Sequence, residues 1–305
     1  GTAKGLWGVY ALFSTLCGVA YWAAGMAPLD ALMHMFSTVS LGGLSSHDQS
    51  FGYFQSPLLE AICIVFMLVA SCNFALYFVA IRKGHWHGFW HDPELRATLF
   101  TLVGGGLLVA VLLWVKGVYA PLDALRHGMF NLVSLASTTG YATVDYLAWP
   151  VFAPVFMLLL SGVATSAGST GCGIKMVRML ILLKQARREM NRLVHPRAVQ
   201  PVRLGDAVVD NRVIFSVLAF MLVYGATIFG LSMVLLLTDL DPVTAFSAVL
   251  ASVNCAGPGL GAVGPASNFA VLTDFQIWVC TLAMLLGRLE ILSFMALLTP
   301  AFWRR

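Results

Sequence analysis

Charge is what this sequence most lacks. Only 10% of its 305 residues are charged, against about 25% in an ordinary soluble domain, so the chain cannot cover a water-facing surface. Cysteine is sparse too. The six (Cys17, Cys63, Cys72, Cys172, Cys255, Cys280) fall in apolar or glycine-rich segments, none at metal-ligand or disulfide-framework spacing, and read as small core hydrophobes. No phosphate loop is present: Gly168 and Gly173 have the glycine spacing of one, but Ile174 stands where the lysine belongs. No nucleophile with a base falls at mid-membrane depth, so the chain is not read as an enzyme. There is no initiating Met and no basic stretch before the first apolar run, so that run is not a cleaved signal. The sequence is expected to be cut from a longer one.

Apolar runs are what it has. Hydrophobic residues make up 59% of the chain, and six runs reach the roughly 20 residues that cross a bilayer: Leu6–Ala24, Leu58–Ile81, Leu95–Val115, Val151–Leu183, Val213–Leu237 and Ala270–Leu298. The class is an all-α polytopic membrane protein. If the chain crosses alternately, Lys4, Arg82, Lys83, Arg96, the basic residues from Lys184 to Arg212, and Arg304–Arg305 share one face, expected to be cytoplasmic. The other face carries Lys116 and Arg126 against Asp30, Asp48, Glu60, Asp123, Asp145, Asp239, Asp241 and Asp274, an acidic mouth that would raise the local cation concentration.

A repeat organises the chain. Ala27-Pro28-Leu29-Asp30-Ala31-Leu32 recurs letter for letter as Ala120-Pro121-Leu122-Asp123-Ala124-Leu125, and in looser form as Asp241-Pro242-Val243-Thr244-Ala245-Phe246. Proline beside Asp starts a helix. Each copy then runs apolar for too few turns to span and ends in small residues: Ser40-Leu41-Gly42-Gly43, Ser137-Thr138-Thr139-Gly140 and Asn254-Cys255-Ala256-Gly257. The last glycines stand 97 and 117 residues apart. A half-helix that dips into the membrane points its partly negative C-terminal end inward, which favours a cation. Non-helical backbone after it is tolerated only inside protein or along a watery cavity, where its carbonyls can replace an ion's hydration shell.

These residues, together with Phe36-Ser37-Thr38-Val39, Gly42-Gly43-Leu44-Ser45, His47-Asp48, Gly257-Pro258-Gly259-Leu260-Gly261 and Gly287-Arg288-Leu289-Glu290, resemble the Trk/Ktr/HKT superfamily of potassium transporters, closest to its bacterial TrkH branch. The resemblance implies helix–pore loop–helix units around a pseudo-fourfold cation pore, three of an expected four being visible. Residues 1–92, 93–205 and 206–305 would be the second, third and fourth units, with the first upstream. It matches Gly43, Gly140 and Gly257 to filter glycines, with K⁺ as the permeant ion at Ser40–Gly43, Ser137–Gly140 and Asn254–Gly257 and no bound cofactor. Leu41-Gly42 and Cys255-Ala256 depart from Thr138-Thr139, which bears on K⁺ over Na⁺ selectivity. The implied setting is the bacterial inner membrane, as a homodimer paired with a cytosolic nucleotide-binding Rossmann subunit.

Two polar intrusions lie among the apolar runs. Thr165–Lys175 interrupts the fourth, and small polar residues there can satisfy a broken helix. By resemblance Gly168, Ser169, Thr170, Gly171 and Gly173 belong to an intramembrane gate. Arg288 falls inside the last run, where an arginine costs about 2.5–3.5 kcal/mol and so faces a cavity or partner. By resemblance it is a positive barrier on the pore. Glu290, two residues on, cannot face it along a helix and is expected to cap or pair with another helix. Lys175 and Arg178 are expected to snorkel to headgroups. His85-Trp86-His87 with Trp90-His91 reads as an interfacial anchor, and His34 and His127 as packing or hydrogen-bonding groups at the outer mouth. The basic segment Lys184–Arg203 is the best site for a regulatory partner, and positive-inside bias leaves no case for nucleic acid. An ion-coupled symporter is the rival, since broken helices also mark those folds.

Overall fold

A computed structural model describes residues 2–84, 86–197, 200–289 and 291–303. The element order is α1 (Thr2–Ala23), α2 (Pro28–Val39), α3 (Pro57–Ser71), α4 (Phe74–Lys83), α5 (Trp86–His91), α6 (Pro93–Val115), α7 (Pro121–Ala136), α8 (Phe152–Ser161) and α9 (Met176–Val194). A minimal antiparallel hairpin then pairs β1 (Arg203–Leu204) with β2 (Ala207–Val208). α10 (Asn211–Leu236), α11 (Pro242–Val253), α12 (Asp274–Arg288), α13 (Ile291–Leu298) and α14 (Pro300–Trp303) complete it.

Local chemistry sets the boundaries. Proline occupies the first turn of α2, α3, α6, α7 and α11, where its missing N–H costs nothing. Side-chain caps from Ser56, Asp92, Asp210 and Asp241 begin α3, α6, α10 and α11, each worth about 1 kcal/mol. A reciprocal Thr273–Gln276 capping box begins α12.

Among the described residues, only α1, α6 and α10 are single helices long and apolar enough to cross a membrane. The second expected span is bent by 90° between α3 and α4. Cys72 is extended there, and the Asn73 side chain accepts from Ala75 N–H to start a new helix. The fourth expected span is open over residues 162–175, and the sixth begins at Asp274 and breaks after Arg288. At the first two breaks the freed backbone is partnered inside the protein, Ser166 N–H donating to Ser71 C=O and Ile174 N–H to Gly162 C=O, as it must be at membrane depth.

Large apolar side chains stay exposed along α10, among them Phe215, Leu222 and Phe229, a surface suited to lipid rather than water. Inside, one apolar core gathers residues of α6–α8 and α10–α12, and a second gathers residues of α1–α4. α7 feeds both: Leu132 and Leu135 enter the first, Phe130 and Val133 the second. It holds the two halves together.

Candidate functional site

The short helices α2, α7 and α11 end alike. In each, a right-handed C-cap (Ser40, Ser137, Asn254) is followed by a residue with positive φ: Leu41 at 53°, Thr138 at 65°, Cys255 at 53°. Leu41 N–H bonds Thr38 C=O and Gly42 N–H bonds Ser37 C=O, at 3.1 and 2.8 Å. The same pair recurs as Thr138→Leu135 and Thr139→Ser134, and as Cys255→Ser252 and Ala256→Ala251. This is the Schellman ending, which normally takes glycine at the left-handed position. Leucine, threonine and cysteine take it here, so the departures noted in sequence leave the backbone path unchanged.

The three endings meet. A Cβ added to Gly43 would collide with the Thr139 carbonyl, and one added to Gly140 with the Ala256 carbonyl. Gly257 packs on the Gly140 Cα, 3.8 Å from where its own Cβ would stand. Segments about a hundred residues apart in sequence are thus in backbone contact. Among the described residues no hydrogen bond ends on a carbonyl of 40–43, 137–140 or 254–257. Those oxygens are free for a cation.

Side chains brace this ring from behind. Tyr21 Oη shares a hydrogen bond with Thr38 Oγ1 (2.9 Å), and Ser137 Oγ with Thr139 Oγ1 (2.7 Å). Tyr224 donates to Asn254 Oδ1 (2.6 Å), and Asn254 Nδ2 donates to Ser161 Oγ (2.9 Å). Tyr21 and Tyr224 were not legible as supports, because each stands in an apolar run like any buried aromatic.

The non-helical segment 162–175 lies directly against these endings. Cys172 N–H donates to Thr138 Oγ1 (3.3 Å), and Thr170 Oγ1 donates to the Val39 carbonyl (3.0 Å). Gly171 packs against Thr165 and Thr138. Gly168 and Gly173 have φ of 74° and 88°, and Ser169 Oγ donates to Ser166 C=O (2.6 Å). The segment also repairs the break between α3 and α4: Ser166 N–H donates to Ser71 C=O (2.9 Å), and Phe74 N–H donates to Gly168 C=O (3.1 Å). Glu94, buried at the start of α6, accepts from Ala167 N–H (2.6 Å) and Val177 N–H (3.2 Å) through one oxygen. In sequence it reads as an ordinary first-turn acid, and nothing there signals this role.

Arg288 is the last residue of α12, not a mid-helix residue. Its guanidinium donates to Thr170 C=O (3.1 Å) and Cys172 Sγ (3.3 Å). It is exposed to a cavity of about 450 Å³ also lined by Ser40, Ser169, Thr170, Tyr10 and Phe74. Glu290 lies outside the described residues. Lys175 does not snorkel: its ammonium donates to Gly171 C=O and to Ser169 Oγ (3.4 Å). Arg178 stacks on the Phe220 ring, 4.1 Å from its centroid. Both cations have carbonyl or π partners within the protein.

The acidic face expected from the sequence is partly neutralised. Glu60, with a side chain only 3% exposed, takes a bidentate pair from Arg126 at 2.7 Å on each oxygen. The Ser46 hydroxyl, then His47, hold the Asp30 carboxyl below its usual range. His34 Nδ1 lies 2.8 Å from the Asp30 carbonyl, so it carries the proton and leaves Nε2 to accept from Ser45 Oγ (3.0 Å). His127 bonds Thr143 Oγ1 (3.2 Å). His87 and His91 stack on each other, while His85 lies outside the described residues.

A family model described as "TrkH: Cation transport protein" matches residues 1–304. The potassium uptake protein TrkH of Vibrio parahaemolyticus is 43% identical, aligned over 99% of this chain and 63% of its own length. TrkH of Halomonas elongata is 41% identical over 100% of this chain and 63% of its length. The crystal structure of the potassium transporter TrkH from V. parahaemolyticus superposes with a TM-score of 0.94 at 42% identity, covering 99% of this chain and 65% of that one. The chain thus spans less than two thirds of the length of these relatives.

Proposed function

Because the chain belongs to the TrkH family of cation transport proteins, we propose that it supplies three pore units of a potassium-uptake pathway. The units are 1–92, 93–205 and 206–305, and they act with a further unit outside this sequence. K⁺ is stripped of water by the carbonyls of Ser40–Gly43, Ser137–Gly140 and Asn254–Gly257. Segment 168–173 and Arg288 form the gate below. The observation that carries this reading is the backbone contact of three Schellman-ended half-helices whose terminal carbonyls have no protein donor. Each helix adds its negative end to the same point.

The basic residues between α9 and α10 set that side as cytoplasmic. The cavity of about 500 Å³ that includes Arg188, Arg192 and Arg197 is our candidate docking face for a cytosolic nucleotide-binding subunit of a homodimeric assembly. The test is uptake by the full-length protein in vesicles. K⁺ and Rb⁺ should enter well ahead of Na⁺ and Li⁺, and uptake strictly dependent on proton or sodium co-movement would replace the pore with a symporter.

A further inference from the structure

From Lys184 to Arg212 the chain carries seven Lys or Arg against three Asp or Glu. The fold gathers three of the seven around one concave site. Arg188 and Arg192, on α9, and Arg197, just beyond it, line a cavity of about 500 Å³ together with Gln200, Asp210 and Asn211. Glu189 does not neutralise them: one oxygen, Oε1, is shared between Arg188 Nε at 3.6 Å and Arg192 Nη1 at 3.4 Å. Among the described residues Arg197 has no ion pair. Arg188 Nε is buried without a hydrogen-bond partner, while its Nη1 donates to Asn211 Oδ1 (3.2 Å). Asn191 Nδ2 donates to Gln200 Oε1 (3.0 Å), which leaves the Gln200 amide hydrogens for a ligand. Asp210, also in the lining, turns Oδ1 to Arg212 N–H (3.0 Å).

A second feature starts at the same place. Asn211 is the first residue of α10, a helix of membrane-crossing length. Phe215, Leu218 and Leu222 follow it at helical spacing on one face and are 70%, 41% and 75% exposed. From Asn211 to Leu222 the helix rises roughly 16 Å, half of a hydrocarbon core about 30 Å thick. That is the depth of one leaflet. We propose that the cavity binds the phosphodiester headgroup of an anionic glycerophospholipid, whose acyl chains lie along Phe215, Leu218 and Leu222. Guanidinium groups match phosphate oxygens bidentately, and basic pockets beside cytoplasmic helix ends suit such headgroups. The apolar stripe selects lipid over free phosphate. The site rests on α10 crossing the membrane, and neither on the pore nor on the docking of a subunit at this face.

The test uses full-length protein in neutral detergent, stripped of lipid and free of any partner subunit. Native mass spectrometry follows its titration with phosphatidylglycerol, phosphatidylcholine and glycerol 3-phosphate. One phosphatidylglycerol per chain should bind saturably, about tenfold or more tighter than either other probe. Arg188→Gln with Arg197→Gln should weaken it about tenfold. Arg82→Gln with Arg212→Gln removes the same charge from the same expected face, outside the cavity, and should leave affinity unchanged. Equal affinity for phosphatidylcholine, or equal weakening by both pairs, would mean general lipid or surface-charge binding and overturn the site. Glycerol 3-phosphate binding as tightly as the lipid would overturn the lipid assignment. If the first pair fails to fold, the three probes on wild type still decide.

Discussion

Gly140 has φ of 89°, and the space where a side chain would start is filled by the Ala256 carbonyl of the neighbouring loop. Alanine there meets a left-handed penalty of about 1–2 kcal/mol and pushes that carbonyl away. Leu41, Thr138 and Cys255 also hold positive φ, at 53°, 65° and 53°. The prediction is specific to the glycine. Gly140→Ala should insert and purify like wild type but lose discrimination, so the Rb⁺ to Na⁺ uptake ratio drops about tenfold, the 1.4 kcal/mol scale of that strain. An unchanged ratio would show that this backbone does not set selectivity.

At the scale of elements, the segment 162–175 is held from several sides, and the strongest hold is one carboxylate oxygen. Glu94 Oε1 accepts from N–H groups on both flanks, Ala167 and Val177. Hydrogen bonds to a charged group are worth about 1.5–3 kcal/mol. Glu94→Ala removes both and should loosen the segment, raising basal Rb⁺ leak, while Glu94→Gln keeps an acceptor and should stay near wild type. Equal leak in the two variants would point to charge instead of tethering. Arg288 closes the same segment from α12, through Thr170 and Cys172. Arg288→Ala should therefore increase flux, and unchanged or lower flux would remove the barrier from the account.

The same elements explain what could be read in advance. Proline beside Asp, an apolar stretch and a glycine stop are local signals, so α2, α7 and α11 were legible with their endings. The glycines of 168–173 likewise announced a broken helix. The 90° turn at Cys72–Asn73 carries neither glycine nor proline. Its freed Ser71 carbonyl is satisfied by Ser166, almost a hundred residues on, and no window of sequence contains both. Arg288 was found but placed mid-helix, because an apolar run does not reveal that α12 stops there.

Across the whole molecule, the two cores must keep register for the three helix endings to stay in contact, and α7, which feeds both, carries that coupling. Its Arg126 reaches α3 to pair with Glu60, tying α7 to α3. The carboxylate is 3% exposed and the guanidinium 26%, so only the acid depends on its partner for solvation. Arg126→Ala strands a buried charge, which costs about 3–5 kcal/mol for fully buried pairs and falls at the lower end here. Glu60→Gln with Arg126→Ala removes that charge and should recover most of the loss. In detergent, the thermal midpoint should fall clearly for Arg126→Ala and return toward wild type in the double variant. If both variants melt together, the pair is incidental, and α7 is coupled to α3 through apolar contacts such as those of Phe130 and Val133.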